Sequence, residues 1–121
     1  MEKIVINGTL PSLNTIINEA KKHPMAYASM KNESTQTCQW PMKELPPDFT
    51  PDKVFLDITY FVPNWRTDPD NVAAAKKFIM DALVEEEIIE DDTHKFIAGW
   101  EESFKKDKEN PRIEIEIEKV E

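Results

Sequence analysis

Hydrophobic positions along this chain change period several times, and each change marks an element. Over residues 3 to 9, Ile4 and Ile6 share one side of the chain before Gly8, which predicts a short strand closed by a turn. The spacing then widens: Leu13, Ile16, Ile17 and Ala20 recur at i, i+3, i+4 and i+7, the stripe of an amphipathic helix, with Ser12 placed to cap it. Proline clashes with the interior of a regular helix, so a pause is expected at His23-Pro24, followed by a kinked continuation or a second short helix over residues 25 to 30.

Residues 32 to 52 hold four prolines and little periodicity, and read as a long irregular connection in which Trp40 anchors the loop on the core or stacks on a splayed base. Over residues 53 to 62, Val54, Leu56, Ile58, Tyr60 and Val62 fall on one face, with Phe55 and Phe61 on the other, predicting a central strand covered on both sides. That strand delivers the chain through Pro63 to an acidic stretch, at the kind of strand end where open α/β sheets keep their sites. A helix follows over about residues 71 to 87, burying Val72, Ala75, Ile79, Ala82 and Leu83. Residues 95 to 104 begin like a strand at Phe96-Ile97, and residues 105 to 110 form a charged turn. Residues 112 to 120 then alternate strictly, with Ile113, Ile115 and Ile117 facing in and Glu114, Glu116 and Glu118 facing water. The expected fold is α/β: a single domain with about four strands in a mixed sheet and two main helices packed against it.

Composition adds limits. Forty per cent hydrophobic and 32% charged residues suit a globular domain, and no run approaches the roughly 20 apolar residues of a membrane span. The start of the chain lacks a basic-then-apolar leader, and the lone Cys38 has neither a disulfide partner nor neighbours at zinc-ligand spacing, so a cytoplasmic location is expected. The net charge of −9 weighs against nucleic-acid binding, which draws on basic surfaces. That charge is uneven: residues 1 to 47 carry five Lys and four Glu, net +1, and residues 48 to 121 carry ten basic and twenty acidic groups, net −10. Lys21, Lys22, His23 and Lys31 form the most basic part, which is either a solvated face or a phosphate-contacting one.

Candidate chemistry concentrates after the central strand. Asp68 and Asp70 stand two apart across Pro69, whose restricted backbone directs both carboxylates to one side, where they can share a cation. Asp70 is also placed as a helix cap. Asp91 and Asp92 supply a third acidic element after the helix. At 100° per residue Lys77 returns to the face of Asp70, whereas Lys76 points about 100° away; the structural alternative pairs Lys77 with Asp81 at i+4. Carboxylates that hold a hard cation, water activated by it and a lysine facing phosphate are the means of metal-assisted phosphodiester cleavage. His94, beside the acids, reads as a surface histidine rather than a ligand. No glycine-rich phosphate loop and no Ser/His/Asp constellation occurs.

At these residues the chain resembles the RusA-type Holliday-junction resolvases of phages and prophages. Arg66, Asp68, Asp70, Asn71, Lys77, Asp81-Ala82-Leu83 and Asp91-Asp92 follow that family's order, and Leu10-Pro-Ser-Leu-Asn14 with Met30-Lys31 is similar to its amino-terminal segment. The resemblance implies that Asp68, Asp70 and Asp92 bind magnesium, for which manganese can substitute, and that Lys77 is the site lysine. It also implies a homodimer that cuts branched DNA at two sites. Arg66, Asn14, Lys21, Lys22, Lys31 and Lys76 are the candidate DNA contacts. Arg66 stands one residue further from the first aspartate than the family usually places it, and the helix is a turn longer, which leaves Lys76 as a substitute for Lys77. The rival expectations are an acidic protein that binds junctions or mimics DNA without cutting, and a flap or single-strand nuclease using the same carboxylates.

Overall fold

Four strands and four helical segments make up the computed structural model, which describes residues 1–121. They are β1 (Glu2–Asn7), α1 (Leu13–Lys22), α2 (Pro24–Met42), β2 (Val54–Val62), α3 (Pro69–Ala73), α4 (Lys76–Glu85), β3 (Ile97–Lys106) and β4 (Arg112–Lys119). The strands form one mixed sheet in the order β1-β4-β2-β3. β4 runs antiparallel to both β1 and β2, while β3 is parallel to β2 and so requires the crossover that α3 and α4 supply. The expected four-stranded mixed α/β sheet is present. No helix is long and apolar enough to cross a membrane.

Alternation on each strand places one row of side chains in a single core. Ile4 of β1 pairs with Ile115 of β4, which pairs with Ile58 of β2, and all three are buried. Leu56, Tyr60, Ile113 and Ile117 extend this face, and Cys38 and Met42 of α2 with Phe78, Ile79, Ala82 and Leu83 of α4 cover it. Each fully buried aliphatic side chain contributes about 1.5–3 kcal/mol. The other face is not covered as expected. Phe55 and Phe61 are only half-buried there, Phe55 lying over Gly99 on the neighbouring strand and Phe61 under the Arg112 guanidinium at 3.7 Å. Arg112 also donates to Asp107 and Glu114, each at 2.7 Å; its bond holds the Asp107 carboxyl below the usual carboxylate range, and Lys3 first, with Arg112 second, does the same for Glu114.

The largest departure from expectation is α2. Residues 32 to 42 continue the helix that starts at Pro24, so the irregular connection spans only the residues after Met42. All four prolines of the stretch lie at or beyond position 41, leaving the preceding residues free to be helical. The helix buries Ser34, Thr35 and Cys38, small or hydroxyl side chains that carry little hydrophobic signal yet fall on one helical face with the buried Met42. Thr37 returns its hydroxyl to the Glu33 carbonyl at 2.9 Å. Trp40, expected on the core, points outward with 72% of its surface exposed. α1 is the converse case: Ser12 caps it as expected, accepting from the Thr15 N–H, but its apolar stripe buries no residue fully and Ile16 alone of that stripe packs against the core.

Candidate functional site

β2 ends at Val62, and the chain turns through residues 63 to 67, where the Arg66 N–H donates to Asn64 Oδ1 at 2.9 Å. Such an asparagine turn substitutes for a backbone bond and fixes the approach to Asp68. Asp68, rather than Asp70, is the residue that precedes the helix: its backbone is extended, Pro69 opens α3, and its carbonyl accepts from the Val72 N–H at 3.1 Å. Proline suits that first position because its missing N–H would have no partner there. The Asp68 side chain makes no capping bond, and Asp70 sits in the first turn with Oδ1 accepting from the Asn71 N–H at 3.0 Å. Both carboxylates are exposed, whereas the Oδ1 of the adjacent Asn71 is buried without a donor. An orphan of this kind costs about 1–3 kcal/mol.

The helix expected over residues 71 to 87 is broken. α3 ends at Ala73 and α4 begins at Lys76, and the intervening Ala74 and Ala75 both have ψ −22°. The Ala75, Lys77 and Phe78 N–H groups bond three residues back, to Val72, Ala74 and Ala75, the tighter winding of a 3₁₀ turn. Counting 100° per residue from Asp70 to Lys77 therefore does not hold across the junction. The two lysines still part company. Lys76 crosses to β3, 2.8 Å from Glu102 Oε1 and 4.4 Å from the centre of the Trp100 ring, while Tyr60 donates to Glu102 Oε2 at 2.9 Å. Lys77 is exposed and forms no ion pair, with Asp81 or any other residue. Arg66 is likewise exposed and free of ion pairs.

Asp91 and Asp92 follow the far end of α4 and line a groove of about 610 Å³ between α2 and α4, together with Lys31, Asp81 and Glu85. Lys31 Nζ lies 4.0 Å from Asp81 Oδ2, a buried oxygen with no hydrogen-bond donor, and the Asp92 N–H donates to Asp91 Oδ1 at 2.8 Å. Beneath this groove burial pushes the Cys38 thiol up to about 12, with the Asp81 charge adding to the effect. Asp68 and Asp70 do not line the groove. No three His, Cys, Asp or Glu side chains lie close enough together to hold one metal ion. The convergence expected of Asp68, Asp70 and Asp92 is thus not formed in this arrangement, because α4 carries the third acid along the flank of α2 and away from the first turn of α3.

A second cleft of similar size separates α1 and α2 from the end of β2. Ser12, Thr15, Ser34, Thr37, Asn64 and Thr67 line it, giving a hydroxyl-rich wall next to the acidic turn. Sequence reasoning missed this wall, although Ser34 and Thr37 recur with Met30 at helical spacing. Of the amino-terminal candidates, Asn14 and Lys21 are exposed, and Lys22 pairs with Glu19 at 2.9 Å. No protein-family model matches the chain, and no curated protein matches it.

Proposed function

We propose that this chain is a structure-selective endodeoxyribonuclease of the RusA type, a cytoplasmic homodimer that resolves four-way DNA junctions with magnesium, or manganese in its place. The observation that supports it best is the Asp68-Pro69-Asp70 turn. Two exposed carboxylates stand beyond the carboxyl end of the central strand, and α4, after the break at Ala74-Ala75, carries Lys77 as an unpaired cation. Arg66 adds a second free charge on the same turn. These cations are what an anionic backbone needs in order to approach an acidic chain. The carboxylate set as arranged does not meet the demand of one ion for Asp68, Asp70 and Asp92 together.

The position of Asp92, beside Asp81 and Glu85 rather than beside Asp68 and Asp70, favours a second reading in which the chain binds junctions without cutting them. One assay separates the two. A synthetic four-way junction is incubated with the protein in magnesium, in manganese and in chelator, with flap and single-stranded substrates in parallel. Paired symmetric cuts that need the metal support the resolvase. A retained but uncut junction supports the binding protein, and cutting confined to flaps or single strands assigns the narrower nuclease.

A further inference from the structure

The sheet ends on β3, ten residues long, whose outer side pairs with nothing in the chain. The Asp107 N–H donates to the Val62 carbonyl, so the odd-numbered residues at the end of β3 direct their backbone groups to β2. Trp100, Glu102, Phe104 and Lys106 therefore present their N–H and C=O groups outward. Unpaired edges of this length are templates for another strand.

The side chains of β3 say which strand fits. The sequence Trp100-Glu-Glu-Ser-Phe-Lys-Lys106 has an acidic first half and a basic second half about Ser103. We propose that a second copy of this chain pairs with it here, β3 against β3 in antiparallel register with Ser103 opposite Ser103, forming one continuous eight-stranded sheet. In that register Glu102 and Phe104 exchange backbone hydrogen bonds across the axis, as do Trp100 and Lys106. Glu101 faces Lys105 of the second copy on the sheet face away from α4, in the close non-hydrogen-bonded positions where opposite charges help and like charges hurt. The other registers compatible with the outward backbone groups are worse: shifted one way, Glu102 meets its own copy, and shifted the other, Glu101 meets Asp107. Glu101, Ser103, Lys105 and Lys106 are exposed and Trp100 is 46% exposed, so the edge is open to a partner. The inference gives an interface to the homodimer of the proposed function, and it is tested without cleavage.

Sedimentation equilibrium of the intact chain, with and without charge reversal, reads the interface. Glu101→Lys or Lys105→Glu alone is expected to weaken dimerisation about tenfold, since two symmetric attractions become repulsions, and the double reversal should restore it. Ser103→Cys reads the register, because opposed non-hydrogen-bonded residues have Cα atoms about 4.5 Å apart, within disulfide reach. Under mild oxidation it should cross-link to a dimer, whereas Glu101→Cys should not; buried Cys38 stays out of the reaction. A monomer at all concentrations, or a dimer indifferent to both single reversals and uncross-linked by Ser103→Cys, overturns the interface. The latter result leaves the homodimer itself standing on another surface, and an uncut junction leaves the interface untouched.

Discussion

Lys76 and Glu102 are joined across the helix-sheet interface, Nζ to Oε1 at 2.8 Å, with both side chains largely shielded. The same carboxylate takes the Tyr60 hydroxyl, and the same ammonium sits over Trp100, so Lys76 is committed to the fold. Truncating it leaves a half-buried carboxylate short of a partner, and Lys76→Ala is expected to lower stability by about 1–3 kcal/mol in urea titration. Lys77 touches nothing comparable. Lys77→Ala should keep stability within about 0.5 kcal/mol and reduce junction cleavage instead. A Lys76 variant as stable as the parent but unable to cut would reverse the two assignments.

Asp70 makes no bond beyond its neighbour's N–H, so its carboxylate is dispensable for folding. Asp70→Asn keeps the size and the accepting oxygen while removing a charge that repels phosphate. The expected result is loss of cutting with junction binding kept or tightened, measured by gel shift and cleavage on the same preparation. Loss of both in a folded variant would place Asp70 at the DNA interface rather than in the chemistry.

The strands were legible because period-two alternation with β-branched residues has one structural meaning: Ile113, Ile115 and Ile117 are buried as the alternation requires, with Glu114 and Glu116 turned away. α2 was hidden for the opposite reason. Ser34, Thr35 and Cys38 are buried through size rather than hydrophobicity, and the prolines after position 40 lent their loop signal to residues before it. The break at Ala74-Ala75 was equally invisible, since alanine suits both a helix and a 3₁₀ turn; the local run of Asp68 and Asp70 could be read, but the side of α4 on which Asp92 ends depends on packing against α2.

Glu87 is the sole non-glycine residue with positive φ, at 58°. It closes α4 in a Schellman arrangement: the Ile88 N–H bonds the Leu83 carbonyl and the Glu87 N–H bonds that of Val84, each at 3.0 Å. This left-handed position favours glycine, and a third consecutive glutamate at a helix carboxyl end opposes the helix dipole. Glu87→Gly should therefore raise stability by about 1 kcal/mol, the relief of strain outweighing the entropy of a freer unfolded chain. An unchanged or lower urea midpoint would show that the turn is unstrained.

Alkaline pH should weaken the fold through Cys38. Its ordinary value of 9.0 is raised to about 12 by burial, so between those limits the unfolded chain releases a proton that the folded chain retains. Stability is then level below about pH 9 and falls as pH rises, with a slope of at most about 1.4 kcal/mol per pH unit for one proton. Tyr60, also raised by burial and by the adjacent Glu102, steepens the loss above its ordinary 10.0. Cys38→Ala should flatten the part that begins near pH 9 and leave the Tyr60 part, as followed by denaturant midpoints across pH 7 to 11. A slope identical in the variant would exclude the thiol.

The conflict between a −9 chain and an anionic substrate turns on where the charge lies. Glu114, Glu116 and Glu118 project from the sheet face opposite the buried row, and Glu114 is already bound by Lys3 and Arg112. The helical side carries Lys21, exposed and unpaired, and Lys22, held only by an exposed contact with Glu19. Lys31 differs, because it faces Asp81 in a groove with Asp91 and Asp92; Lys31→Glu would gather like charges there and disturb the fold as well as the binding. Reversal of Lys21 and Lys22 together is the cleaner probe. Each phosphate contact contributes about 0.9 to the slope of log affinity against log salt on duplex DNA, so the double variant should bind junctions more weakly and lose up to about two contacts' worth of slope. Reversal of Glu116 and Glu118 to lysine, on the far face, should leave that slope unchanged. If the first pair of changes is silent and the second is not, DNA approaches the open face of the sheet, and the basic end of α1 is merely solvated.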